Sequence, residues 1–179
     1  LKRIHMNFSF NAPDEFRADN IRTAGELEPQ GTLGDLGWYC IRFALWAKNY
    51  QLPRYVSGRI LDHIQRSPNH EPVPMEFSGE LIWDDGSSAS FYNSFQTAMQ
   101  QWVNLSGTKG FMHVPDFVLP FYGNQLGFLV NQAQFVEDGC DFRMENYEQH
   151  YSVAEHGNGA PNAQEANLFR TFSDLVLGG

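Results

Sequence analysis

The sequence predicts an α+β domain: an open, mainly antiparallel β-sheet covered on one face by helices. Three observations carry this. Several segments alternate apolar and polar residues at a two-residue period, separated by turns rich in Gly, Asn and Asp. Residues 33–47 and the C-terminal stretch instead repeat apolar residues at three- and four-residue steps, the period of a helix burying one stripe. The order is strand, helix, run of strands, helix, which suits one sheet with helices segregated to a face.

Residues 1–10 set Ile4, Met6, Phe8 and Phe10 against Arg3, His5, Asn7 and Ser9, the pattern of a half-buried strand. Residues 11–30 are rich in Pro, Asp, Asn and Glu and read as a loop that carries Arg22 towards the glycines that follow. From Leu33, the residues Leu36, Cys40, Phe43, Ala44 and Ala47 form the helical stripe, and Pro53 stops it. A second strand is predicted over 55–64, followed by the turn Ser67-Pro68-Asn69-His70-Glu71-Pro72. Met75, Phe77, Gly79, Leu81 and Trp83 alternate with polar neighbours up to Asp84-Asp85-Gly86, and 87–97 alternates again. With Gly86 left-handed in a three-residue loop, the register pairs Leu81 with Ala89, Gly79 with Phe91 and Phe77 with Asn93.

Further on, 101–106 and 111–114 form a hairpin across Gly107-Thr108-Lys109-Gly110, and 127–137 reads as a last long strand. Asn162 and Glu165 make a capping box for a closing helix with the stripe Ala166, Phe169, Phe172 and Val176, ended by Gly178-Gly179. The two helices are expected to cover the apolar sheet face. The other face carries Ser78, Ile82, Ser88, Ser90, Tyr92 and Ser94, with Trp102 or Val103 and Asn131 or Gln132 according to register. Aromatics and small hydroxyls with few Lys or Arg are an interface composition, so a homodimer through this face is expected.

At 179 residues the chain has the length of one core, a single domain over 1–179. The 42% apolar content, with 15 phenylalanines, marks a packed globular chain. A net charge of −9 argues against nucleic acid or an anionic membrane surface as partner. No apolar run of about 18 residues is present for a membrane-spanning helix. Nor do the first residues show a basic-then-apolar leader. Cys40 and Cys140 read as reduced thiols of a cytoplasmic protein. With no Cys-x-x-Cys and scattered histidines, no metal site is expected. Gly107-Thr108-Lys109-Gly110 is a weak phosphate-loop signal, because it joins two strands instead of opening a helix.

The candidate chemistry lies where the glycines enter the helix. Asp35, Tyr39 and Arg42 fall outside the apolar stripe, and residues four apart on a helix share a face, so the Asp35 carboxylate and Tyr39 phenol can reach one small ligand. Gly34 and Gly37 leave room for another backbone or a flat ligand at the helix start. The segment Gly31-Thr32-Leu33-Gly34-Asp35-Leu36-Gly37-Trp38-Tyr39-Cys40, with Asn20-Ile21-Arg22 upstream, resembles the opening of the catalytic helix in the C-terminal domain of the Gfo/Idh/MocA oxidoreductases. The sequence around Phe111-Met112-His113-Val114-Pro115 is similar to that family's sheet.

The resemblance implies a dihydrodipicolinate reductase/glyceraldehyde-3-phosphate dehydrogenase-like C-terminal domain. It also implies hydride transfer between NAD(P) and a sugar, cyclitol or related hydroxyl or carbonyl compound. Where much of the family has histidine four residues after the aspartate, this chain has Tyr39. That pattern is similar to the glucose-fructose oxidoreductase and dimeric dihydrodiol dehydrogenase branch, which implies Tyr39 as proton donor or acceptor and Asp35 as its catalytic partner. Arg22 is implied as a substrate-binding residue, beside the equal reading of a surface arginine paired with Asp19, Asp35 or Glu26, and Gly34 and Asp35 are implied as the cofactor-facing pair. No Gly-x-Gly-x-x-Gly and no Glu-Lys-Pro occur in the 179 residues, so the N-terminal Rossmann cofactor domain, which binds most of the NAD(P), is expected upstream of this sequence. Two other readings stand beside this one: a non-catalytic ligand-binding or assembly domain that keeps the family fold, and an independent carbohydrate-binding β-module.

Overall fold

The computed structural model describes residues 1–119, 125–154 and 163–178. In chain order the strands are β1 (Arg3–Asn11), β2 (Tyr55–Ile64), β3 (Val73–Ile82), β4 (Ser88–Ser94), β5 (Gln96–Ser106), β6 (Phe111–Val114), β7 (Gln125–Asn131), β8 (Gln134–Asp138), β9 (Asp141–Glu145) and β10 (Glu148–Ala154). The helices are α1 (Asp14–Asp19), α2 (Trp38–Ala47) and α3 (Gln164–Leu177). Eight strands form one sheet in the order β10-β7-β6-β5-β1-β4-β3-β2, and β8 and β9 form a separate two-stranded sheet. Among the paired strands of the described residues only β1 and β4 run parallel, and an isolated bridge joins Gln101 to Asp116 in parallel. The α+β class with a mainly antiparallel open sheet is therefore present.

The alternation in β1 decides where the core sits. Ile4, Met6 and Phe8 lie between Ala89, Phe91 and Asn93 of β4 and Leu105, Val103 and Gln101 of β5. These six apolar flanking and central residues other than the partly buried Leu105 are buried. The predicted β3–β4 register is the observed one, Leu81 with Ala89, Gly79 with Phe91 and Phe77 with Asn93. Gly86 is left-handed at φ +75°, and its N–H donates to the Trp83 carbonyl to close the turn.

Several expectations are corrected. The strand predicted over 87–97 ends at Ser94 and a new one starts at Gln96, because β4 and β5 flank β1 on opposite sides and the chain must cross its end. Phe95 makes the crossing fully buried, its N–H donating to Met75 and its carbonyl accepting from Ala12. The strand predicted over 127–137 breaks after Asn131; β7 stays in the large sheet while β8 pairs with β9. Strands β9 and β10 were not expected. The loop over 11–30 holds α1 and a 3-10 turn, Ile21–Thr23, and Phe16 of α1 packs at 5.5 Å from Phe10 and 5.2 Å from Phe95.

The helical cover also differs. The apolar face is covered by α2, by the π turn Leu33–Gly37 that precedes it and by α1, while Phe169, Phe172, Leu175 and Val176 of α3 are exposed. The face above β1, β3 and β4 is already filled, so α3 has no place on it. The Asn162 cap lies outside the described residues; at the other end Gly178 is left-handed at φ +74°, as expected. On the opposite sheet face the register puts Trp102 rather than Val103, and Asn131 rather than Gln132. No helix among the described residues is long and apolar enough to cross a membrane.

Candidate active site

The segment that carries the candidate residues is pinned at its start by backbone sterics. Gly31 has φ +48°, and a Cβ there would overlap the Pro74 carbonyl oxygen and Val73 Cγ1, so a side chain cannot sit where the segment meets β3. The next turn, Leu33–Gly37, is a π turn, one residue wider than an α-turn. Leu36 and Gly37 are driven into the core, and Asp35 is left on the outer side. The predicted stripe is present: Leu36, Cys40 and Ala44 are buried, and Leu33, Phe43 and Ala47 pack against the core.

Asp35 is paired. Arg22 Nε lies 2.7 Å from Asp35 Oδ1, and the Asp35 side chain keeps 24% of its surface exposed. Arg22 is placed for this by the 3-10 turn, whose Asn20 side chain accepts from the Arg22 N–H at 3.0 Å. Tyr39 opens α2 with 43% exposure, its ring set edge-on against Phe8 at 5.4 Å. No hydrogen bond joins Asp35 to Tyr39 among the described residues. The structure thus brings Arg22 to Asp35 directly and leaves the Tyr39 phenol open to solvent.

Below Tyr39 the helix is tied to the sheet by Asn93. Its Nδ2 donates to the Phe8 carbonyl at 3.2 Å and to Cys40 Sγ at 3.4 Å. Burial pushes the Cys40 thiol up to about 12, partly offset by that hydrogen bond, so it is a packing group and not a nucleophile. From Tyr39 the flank of α2 runs through Arg42, Phe43 and Trp46 along an open cleft of about 250 Å³ that Tyr50 and Phe117 also line. The sequence placed Arg42 off the apolar stripe, and Trp46, seven residues after Tyr39, was legible on the same strip. Tyr50 and Phe117 arrive only through the tertiary fold.

The fit to a nicotinamide dinucleotide is uneven. Beside Gly34 stands the Glu28 carboxylate, where a Cβ would lie 2.7 Å from Oε1, and beside Gly37 stand Leu33 and Asn93. The glycines admit these side chains against the backbone. The Gly107–Gly110 turn closes on itself, Gly107 N–H to Gly110 O at 2.9 Å, and a Cβ at Gly110 would strike the Asn131 carbonyl. Neither offers a cradle for phosphates. Asp35, its side chain 24% exposed, and Tyr39, 43% exposed, leave a partly open edge at the start of α2, the part of the segment where the reactive end of such a cofactor would approach.

Comparison with known proteins bears on this geometry. Residues 1–113 match the family model described as the GFO/IDH/MocA C-terminal domain. The fold is similar to aldose-aldose oxidoreductase from Caulobacter crescentus complexed with glycerol, at TM-score 0.67 and 16% identity over 99% of this chain and 46% of that one. The 3-ketoreductase KijD10 from Actinomadura kijaniata, in complex with NADP and TDP-benzene, gives TM-score 0.66 and 14% identity over 99% and 46%. Levoglucosan dehydrogenase, complexed with NADH and levoglucosan, gives 0.64 and 14% over 99% and 50%. The chain spans about half the length of the solved structures it matches. A family model that spans well over half the residues, on a sheet with the same architecture, places this chain in the Gfo/Idh/MocA C-terminal domain family.

Proposed function

We propose that this chain is the substrate-binding and catalytic part of an NAD(P)-dependent oxidoreductase acting on a sugar, cyclitol or related hydroxyl or carbonyl compound. Residues 1–179 form one domain, and a Rossmann domain elsewhere in the same polypeptide binds most of the cofactor. The observation that carries the reading is Tyr39, 43% exposed at the start of α2 with its ring edge-on against Phe8 of the core. Membership of the family supports it, as do neighbours solved with NADP or NADH. NAD(P), when bound, supplies or accepts the hydride.

Tyr39 handles the proton. When a carbinol carbon is oxidised its hydroxyl proton passes to the Tyr39 oxygen, and in reduction the Tyr39 hydroxyl returns a proton to the carbonyl oxygen. A phenol ordinarily titrates near 10, so work near neutrality needs a cation beside it. Arg22 does not serve, since it is paired with Asp35 at 2.7 Å; the cation has to come from the cofactor domain, where the family resemblance implies the Glu-Lys-Pro turn absent from this sequence, its lysine lying at the same centre. Asp35, oriented by Arg22, accepts a hydrogen bond from the substrate hydroxyl and fixes it. Arg22 then acts on substrate through Asp35 as a positioning residue.

The uncovered sheet face completes the proposal: two copies pair through it, each face its own partner across a two-fold axis. The activity is tested in the protein joined to its cofactor domain. Tyr39→Phe removes only the hydroxyl, and kcat is expected to fall by roughly 10² to 10⁴ with folding intact. An unchanged kcat rejects Tyr39 as the proton-transfer residue.

A further inference from the structure

The cleft beneath Tyr39 has no role in that proton transfer, and its chemistry is distinct. We infer that it is a subsite for an anionic substituent, a carboxylate or phosphate, on the far end of a sugar-like substrate, with Arg42 as the binding group. The inference rests on the proposed function for what occupies the near end, and on the cleft itself for the rest.

Position comes first. Tyr39, Arg42, Phe43 and Trp46 occupy steps of zero, three, four and seven along α2, one continuous strip of about 10 Å at the helical rise. The cleft shares Tyr39 with the proposed catalytic centre, so a ligand in one reaches the edge of the other. Its volume, about 250 Å³, is below the roughly 300 to 1,000 Å³ of sites that enclose a whole drug-sized ligand. It suits one end of a substrate.

Charge comes second. Arg42 lies over the Tyr50 ring at 4.7 Å, and among the described residues it has no hydrogen bond or ion pair to a carboxylate. Arg22, Arg54, Arg66 and Arg143 each have an acidic partner in this chain of net charge −9. Stacking uses the face of a guanidinium and leaves the N–H groups in its plane, which match a carboxylate or phosphate with paired hydrogen bonds. The other walls are aromatic: Phe43 is 5.5 Å from Trp46 and 5.5 Å from Phe117. The cleft stays open to water, with Trp46 59% and Tyr50 50% exposed, so an ion pair formed there is partly screened.

Backbone geometry supports the same assignment. Asn49 and Tyr50 both take the left-handed conformation, at φ 51° and 58°, which is uncommon for a residue with a bulky side chain such as Tyr50. The Asn49 N–H donates to Trp46 and the Tyr50 N–H to Leu45 at 2.7 Å, so the helix end holds this bend. One product of the bend is the Tyr50 ring under Arg42.

The test uses this chain and needs no turnover. The indole N–H resonance of Trp46, assigned by its loss in Trp46→Phe, is followed by NMR during titration with glucuronate, glucose 6-phosphate and glucose. Either or both anionic sugars are expected to shift it saturably, with glucose needing at least tenfold more, and the stronger anion identifies the source of the charge. Arg42→Gln is expected to weaken the anions at least tenfold and Arg42→Lys to retain part of the response, with the other indole resonances unmoved. Equal responses to glucose and the anions, no response, or full anion affinity in a folded Arg42→Gln overturns the subsite. Because nothing in the titration depends on proton transfer, a failed Tyr39→Phe prediction leaves its result standing, and a failed titration leaves the Tyr39 assignment standing.

Discussion

Replacing Gly31 by alanine tests how the candidate site is anchored. Gly31 is left-handed at φ +48°, where a side chain costs about 1 to 2 kcal/mol. The added methyl also collides with backbone, the Pro74 carbonyl oxygen, and with Val73 Cγ1 at 2.5 Å, and neither is the free end of a flexible chain. Overpacking of that kind costs about 1 to 3 kcal/mol, so Gly31→Ala is expected to remove about 2 to 5 kcal/mol of a total that for such domains is about 5 to 15. Gly86 is the control. It has φ +75° with nothing within 4 Å of its added Cβ, so Gly86→Ala is expected to cost the backbone share alone, about 1 to 2 kcal/mol. Urea unfolding followed through tryptophan fluorescence measures both, since Trp83 is buried in the native state. The comparison refutes the anchoring argument if Gly31→Ala unfolds at the same urea midpoint as Gly86→Ala.

The two thiols should separate. Cys140 is exposed and Cys40 buried, so an aromatic disulfide reagent at pH 8 is expected to modify one thiol quickly and the second only on unfolding. Cys40 titrates higher folded than unfolded, from 9.0 to about 12, so its stabilising share is complete below about pH 9 and is lost as pH rises towards 12; two thiols reacting together in native protein would contradict its burial. For the assembly, Trp102→Glu puts a charge on the open sheet face near its own symmetry mate, and light scattering at tens of micromolar is expected to show a dimer for the unaltered chain and a monomer for the variant. An unaltered chain that is already monomeric there disposes of the interface.

What the sequence disclosed follows from which forces are local. The β3–β4 register was legible because Asp84-Asp85-Gly86 and strict alternation leave one pairing that keeps Leu81, Phe77 and Phe91 on a single face. The α2 stripe was legible for the same reason. The break at Phe95 was not, because Phe95 continues the alternation of Ala89, Phe91 and Asn93; what interrupts it is β1 lying between β4 and β5. The break after Asn131 gave no signal either, since Gln132-Ala133 carries no turn residue. Within the site, the shared strip of Tyr39 and Arg42 was visible as spacing. The π turn that carries Asp35 was not visible. Tyr50 was hidden because its left-handed backbone is imposed by the helix end and is not a preference of Asn-Tyr.

The two members of the proposed catalytic pair are held with unequal firmness, and that asymmetry has a use. Tyr39 rests on Phe8 of the central strand, while Asn93 of the neighbouring strand bonds both the Phe8 carbonyl and Cys40. The stretch of α2 that carries Tyr39 is thereby tied to β1 and β4, with the fully buried Cys40 and Ala44 packed beneath it. Asp35 is restrained by an ion pair whose arginine is 40% exposed, a contact of the kind that contributes about 1 kcal/mol or less. A group that exchanges a proton in the transition state has to be held close to one geometry, whereas a group that receives differently shaped hydroxyl compounds gains from adjustment. The rigid position is therefore the one assigned the proton and the compliant position the one assigned the substrate, so changes in substrate preference should arise around Arg22, Asp35 and the Arg42 cleft while Phe8, Asn93 and Cys40 stay fixed beneath them.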